Sequence, residues 1–365
     1  MEHLTGKFKI AVHFRRRFQC KLLHFVVTSM NLQTTLSWLL SGAFAAFLFG
    51  TVSVASAAVF PDVSKDHFAR EAIIYLSDRG TLAGYDDGTF KPDRKVNRAE
   101  ALKVIASAFI PKSDTSAKST DFTDVPDNAW YVPSLKWGIT KNVIDGPPKT
   151  TRFYPTRAVT KAEFLKMLFT ANGVDSKAFS DIKLALSSDT TDTSAWYYPH
   201  LRYAVATATT EISDAGLFGP NRELTRGDVA LILYRYTLYR SGERIQDLLT
   251  LTREDVEAVI TALAQQDVSQ AEYASARAIL LARAALLTQP DEDVVKVAVK
   301  IAEGYRALTR AYRASISGDR SAVLKHATDA STLAAQALKL SPDSKILAEQ
   351  LDKYGKSFVA QAKKK

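Results

Sequence analysis

The chain is predicted to be mainly α-helical, with three helix–loop–helix repeats followed by an all-α helical bundle or helical-repeat-like domain. Three observations predict this. A short signature recurs in register through the middle third, and the runs around it place apolar residues three and four apart. The last third is rich in Ala, is divided by capping residues and shows no alternation of period two. With 46% hydrophobic and 24% charged residues among 365, the composition suits globular structure and excludes collagen-like, low-complexity or wholly disordered chains. The length allows two or three domains of about 100–200 residues each.

Residues 1–57 are read as an export signal. Lys7, Lys9, Arg15, Arg16, Arg17 and Lys21 stand against one acid, Glu2, and residues 36–58 carry no charge. The small-residue end Ala55-Ser56-Ala57 sets cleavage after Ala57. A retained membrane anchor is the alternative, because the apolar run approaches the ~18 residues that span a bilayer. Met30 is an alternative start. Removing this segment takes a net +5 from the formal +9 and leaves +4. That is too mild for a nucleic-acid footprint, so nucleic acid is not expected as a partner. The single Cys20 lies in the same segment, which excludes internal disulfides, Cys-built zinc sites and a CxxC redox pair.

The repeats are assigned to 58–112, 120–175 and 177–242. They open on Phe60-Pro-Asp62-Val63, Phe122-Thr-Asp124-Val125 and Phe179-Ser-Asp181-Ile182, and each continues into an aromatic-containing amphipathic run. They close on VNRAE at 96–100, VTKAE at 159–163 and LTRGD at 224–228. From opening Phe to signature cation the copies measure 38, 39 and 47 residues, which places an insertion in the third copy near 187–194. In the first copy Ala69, Ile73, Ile74 and Leu76 keep helical spacing, and Gly80 suits the stop. The loop at 84–92, GYDDGTFKP, reads as tight turns. Calcium at its Asp86-Asp87-Gly88 or at 188–194 is set aside in favour of turns, since neither follows an EF-hand pattern.

Each signature starts a second helix. Thr160 with Glu163 matches a capping box, with Asn97/Glu100 and Thr225/Asp228 as variants. Capping does not explain the cation that follows, Arg98, Lys161 or Arg226, because positive charge at the first helical position opposes the helix dipole. A cation placed three times against its local electrostatics points to an anion that it faces.

The first copy, with FPDV at 60–63, HFAREAIIYL at 67–76, GTLAGYDDGTFKP at 80–92 and VNRAE at 96–100, resembles the S-layer homology family. The resemblance covers about residues 59–240. It implies a pseudo-threefold, three-pronged helical unit outside the cytoplasm, holding peptidoglycan-linked, acidic (pyruvylated) wall polysaccharide in grooves between repeats. It maps the sugar-contacting cations onto Arg98, Lys161 and Arg226, the opening carboxylates onto Asp62, Asp124 and Asp181, and the following aromatics onto Phe68, Trp130 and Trp196. Trp130 and Trp196 are taken as sugar platforms and Phe68 as core. The turn residues Gly84 and Tyr85 match in the first copy only. Lys161 lacks the planar guanidinium fork, so the groove of Arg98 is expected to be best preserved.

Residues 244–365 form an Ala-rich helical domain with expected helices at 252–266, 269–288, 291–316, 319–340 and 343–362. Their starts are marked by Thr252, Ser269, Pro290, Asp319 and Pro342. Residues 318–344 weakly resemble one tetratricopeptide hairpin; an ordinary bundle is preferred. Beyond residue 57 only His67, His200 and His326 remain, at no metal-ligand spacing, and no nucleophile or phosphate-loop motif is present. The chain is therefore read as an exported, wall-anchored surface protein with no cofactor and no catalytic residues, its helical region available for self-association or a protein partner. A wall-modifying enzyme, or a tethered interaction module, is the alternative.

Overall fold

The computed structural model describes residues 60–109, 120–146, 149–175, 177–213 and 215–364. The export signal lies outside them. The architecture is mainly helical, as expected. The three segments read as repeats each contribute a helix pair: α1 (Arg70–Asp78) and α2 (Arg98–Phe109), α3 (Val132–Thr140) and α4 (Lys161–Ala171), and α5 (Tyr198–Ala206) and α6 (Arg226–Arg240). Five longer helices follow: α7 (Ile245–Ala264), α8 (Val268–Thr288), α9 (Asp293–Ser317), α10 (Arg320–Leu340) and α11 (Lys345–Lys364).

The repeats close on one another around an axis. The Val96 amide donates to the Leu224 carbonyl, Val159 to Val96, and Leu224 to Val159, each at 3.0 Å. All three side chains are buried, and isolated bridges pair residues 95 with 225, 97 with 158, and 160 with 223. This ring satisfies buried backbone groups that would otherwise lack partners. Each second helix then packs on the first helix of another repeat: α2 on α3, α4 on α5, and α6 on α1. Edge-to-face pairs such as Tyr75–Tyr234 and Phe169–Tyr203, both at 4.9 Å, fill the prongs.

The first helices stop in the same way. Gly80, Asn142 and Ala208 each lie two residues past the helix in the left-handed region, at φ 65°, 58° and 49°. Behind them the amides of Thr81, Val143 and Thr209 donate back to Leu76, Gly138 and Ala204.

The C-terminal helices share the repeats' core. Buried residues run as one cluster from Val63 to Leu351, α8 packs on α5, and residues 57–365 form a single compact unit. Arg244 Nη1 donates to the Ala208 carbonyl at 2.6 Å and Arg277 Nη1 to that of Leu186 at 3.2 Å. Along the array, consecutive helices pack on each other, with α7 also touching α9 and α9 touching α11. Glycines permit the closest approaches. A Cβ on Gly304 would lie 2.3 Å from Leu351 Cδ2, and one on Gly355 2.8 Å from the Ala327 carbonyl.

Helices α9 and α11 begin two residues later than expected, at Asp293 and Lys345, and two further starts are marked by other residues than expected. Helix α7 begins at Ile245, not 252: Thr252 is buried inside it and back-bonds to the Leu248 carbonyl at 2.7 Å, because the stripe of Ile245 and Leu248 extends the apolar face two turns earlier. Helix α8 is capped by Asp267, whose carboxylate accepts the Gln270 amide at 3.0 Å, not by Ser269. Asp319 caps α10 as expected, accepting the Ala322 amide at 2.9 Å.

Candidate functional site

Each loop is clamped by one carboxylate. Asp62 accepts the amides of Phe90 at 2.9 Å and Lys91 at 2.6 Å, and Asp124 those of Phe153 and Tyr154, both at 2.8 Å. In the third repeat the clamp is Asp189, which accepts Phe218 at 2.8 Å and Gly219 at 2.7 Å. The second amide of each pair belongs to a left-handed residue: Lys91 at φ 56°, Tyr154 at 58° and Gly219 at 68°. A charged acceptor thus holds backbone that a side-chain-bearing residue adopts only at a cost. Burial alone would raise the carboxyls of Asp62 and Asp189, but their amide bonds outweigh it and hold both below the usual carboxylate range.

Asp181 does not occupy the equivalent position. It is exposed and pairs with Arg283 of α8 at 2.6 Å. Clamp-to-loop separations are 28, 29 and 29 residues, so nothing is inserted at 187–194; the extra residues precede Asp189. Ile182 and Leu186, in that extra segment, are fully buried. The third repeat opens Ser187-Ser188-Asp189-Thr190 and lacks the Phe that marks the others, so in the sequence Phe179-Ser-Asp181 stands in its place.

A second set of cations escaped notice in the sequence. Phe-x-Pro-x-Arg recurs at 90–94, 153–157 and 218–222. Arg94 donates to Glu100 at 2.6 Å, Arg157 grips Glu163 through both terminal nitrogens, and Arg222 grips Asp228 at 2.7 and 2.9 Å. These acids are the capping-box acids. Glu163 and Asp228 also accept the amides of Thr160 and Thr225, and Glu100 that of Asn97. Each loop is thus pinned to the helix it feeds.

The signature cations form a cycle across repeats. Arg98 lies over the Phe153 ring at 5.3 Å, Lys161 over Phe218 at 4.6 Å, and Arg226 over Phe90 at 4.5 Å. Their hydrogen bonding differs. Lys161 is buried, its ammonium donates to the Phe218 carbonyl at 2.5 Å, and burial followed by repulsion from Arg222 pushes its pKa down to about 8. Arg226 donates Nε–H to the Phe90 carbonyl and Nη2–H to that of Ala83, both at 2.8 Å. The Arg98 guanidinium has no hydrogen bond or ion pair among the described residues, although its backbone amide donates to the Arg157 carbonyl at 2.9 Å, and burial lowers its pKa. It lines a cavity of about 400 Å³ with Arg152, Tyr154, Arg157, Lys166 and Trp196. That groove draws its cation from repeat one, its loop from repeat two and its indole from repeat three.

The aromatics are exposed in all three repeats: Phe68 at 58%, Trp130 at 55% and Trp196 at 55%. Phe68 therefore does not belong to the core; its ring stacks on His67 at 4.6 Å. Lys103 approaches the Trp130 ring at 5.0 Å and Lys166 that of Trp196 at 5.7 Å. Tyr85 sits among cations, with Lys91 at 4.3 Å, Arg226 at 4.8 Å and Arg94 at 5.7 Å from its ring. Gly84 is required by close packing, since a Cβ there would lie 2.4 Å from the Phe60 ring. The Asp residues of both turn-rich loops make turns: Asp87 accepts the Thr89 amide at 3.0 Å and Asp192 the Ser194 amide at 2.9 Å. Among the described residues no group of three or more His, Cys, Asp or Glu could hold a metal ion.

Comparison with known proteins agrees with this geometry. The chain is 29% identical over 188 residues to the surface-layer 125 kDa protein of Lysinibacillus sphaericus, covering 50% of this chain and 15% of that protein. It is 32% identical over 139 residues to the S-layer protein sap of Bacillus anthracis, covering 36% of this chain and 16% of the relative. A cellulosome-anchoring protein of Acetivibrio thermocellus is 30% identical over 116 residues, 31% of this chain and 26% of its own length. The chain thus spans about a quarter or less of these relatives. Residues 59–102 and 121–165, the segments that carry Arg98, Lys161 and the first two clamped loops, match the model of the S-layer homology domain.

Proposed function

We propose that the protein is an exported cell-surface protein, of the S-layer or envelope kind, anchored non-covalently to wall polysaccharide through three S-layer homology repeats. The third repeat lies outside the family match. Its inclusion rests on Asp189, Arg222, Thr225 and Arg226, which repeat the clamp, pin, cap and cation of the other two. The S-layer relatives favour an anchoring protein over an enzyme.

The observation that carries the reading is Arg98: a guanidinium without an acceptor, in a groove edged by the exposed Trp196. A fork of this kind takes a carboxylate through two parallel hydrogen bonds, which suits the pyruvyl group of an acidic wall polymer, while the indole offers a face to a sugar ring. Lys161 is already used by the Phe218 carbonyl, so the three grooves are unequal. The wall-binding part is assigned to residues 58–242, with residues 244–365 displayed from it as a helical region for self-association or a protein partner.

The test is co-sedimentation of the chain with purified wall polysaccharide, before and after mild acid removes pyruvyl ketals. Arg98→Ala should weaken binding about ten- to hundredfold, the value of a charge-assisted hydrogen bond. Lys161→Ala should weaken it much less. Equal losses in folded variants, or binding indifferent to the acid treatment, would overturn the assignment.

A further inference from the structure

A second cavity, of about 440 Å³, lies away from the grooves, among α8, α9 and α10 with Asp181 at its rim. Its lining is polar: Arg283, Arg306, Arg310 and His326 face Asp181, Glu303 and Asp329. Two of the three acids are engaged by cations. Arg283 spans Asp181 at 2.6 Å and Glu303 at 3.3 Å, Lys300 stands 3.8 Å from Glu303, and Asp329 lies 3.7 Å from His326.

Arg306 is left over. It is 8% exposed, its Nε is completely buried without an acceptor, and its side chain makes no hydrogen bond or ion pair among the described residues. One turn along α9, Arg310 adds a second guanidinium with no ion pair among the described residues. A buried guanidinium normally has its donors met, because an unmet charged group in a low-dielectric setting is costly. The neighbours sharpen the mismatch: burial first, then repulsion from Arg310 and Arg283, pushes the Arg306 pKa down to about 10.

We propose that this cavity is a binding site for an oxyanion, a carboxylate or phosphate on a small polar ligand, held by Arg306 and Arg310 with the side chain of Gln336 available to its polar remainder. The site is separate from the Arg98 groove and does not depend on the wall-anchoring reading. Two sources share this chemistry: a diffusible small anion, and an acidic group carried on a wall polymer.

The test uses the chain from Ala57 to Lys365, one compact unit. Thermal unfolding is followed in malonate, in inorganic phosphate and in chloride at matched ionic strength, and separately with purified wall polysaccharide. Malonate or phosphate should raise the melting temperature above chloride, as a ligand bound only by the folded state does. The rise should vanish in Arg306→Met and persist in Arg98→Ala. A rise seen only with the polysaccharide, and lost in Arg306→Met, identifies the polymer as the source. Should Arg306→Met fail to fold, the exposed Arg310→Ala reads the same site and should weaken anion binding about tenfold. No rise over chloride with malonate, phosphate or the polysaccharide, or a rise untouched by the cavity variants, overturns the proposal.

Discussion

Arg226 donates its Nε–H to the carbonyl of Phe90, 136 residues earlier, at 2.8 Å. The contact joins the last repeat to the first, and so it closes the ring that Arg98 on Phe153 and Lys161 on Phe218 begin. A repeat array that closes has no end repeat to cap, which lets a unit of short helices bury a continuous core.

Asp189→Asn should destabilise the fold by about 1–2 kcal/mol, because Asn accepts only one of the two loop amides that the carboxylate holds. Asp181→Asn, at an exposed ion pair, should cost at most about 0.5 kcal/mol. Urea unfolding of the two variants checks this. The reverse order would restore Asp181 as the third opening carboxylate.

Lys161 makes stability depend on pH. Its folded pKa, about 8, lies below the usual 10.5, so between these values the unfolded chain holds the proton that the folded one has released. The burial penalty on the charged form is therefore fully present below pH 8 and disappears as pH rises toward 10.5. Relative to Lys161→Met, the wild type should gain stability across this window, by at most roughly 3 kcal/mol. A stability difference flat from pH 7 to 10 would show that Lys161 is solvated.

Gly355→Ala should destabilise by about 1–3 kcal/mol despite the better helix propensity of Ala. The new methyl would meet the Ala327 carbonyl at 2.8 Å and Ser331 Oγ at 2.6 Å, and backbone cannot rotate away. Chemical denaturation measures the effect. A stabilised variant would mean that α10 and α11 pack less closely than described.

Truncation after Glu243 should leave wall binding in place while lowering thermal stability. The cut removes α8 from α5 and deletes the Arg244 bond to Ala208 and the Arg277 bond to Leu186. Melting curves and co-sedimentation of the truncated and longer chains separate the two effects. Unchanged melting would show that the repeats do not draw on the C-terminal helices.

The helical class, the capping boxes and the cation at the first position of α2, α4 and α6 were all legible in the residues. These are relations between neighbours three or four apart, set by caps and periodicity, and they hold whatever the rest of the chain does. The recurring Phe-x-Pro-x-Arg is equally local, but its role as the pin of each loop shows only where Arg94, Arg157 and Arg222 meet the capping acids. What only the tertiary structure decided is which carboxylate clamps the third loop, which cation keeps its donors free and whether Phe68 is buried. Asp189 reaches Phe218 29 residues away, and Arg226 reaches Ala83 143 residues away. Such pairings depend on ring closure between repeats, so local pattern placed the charges while their partners were set by how the chain returns on itself.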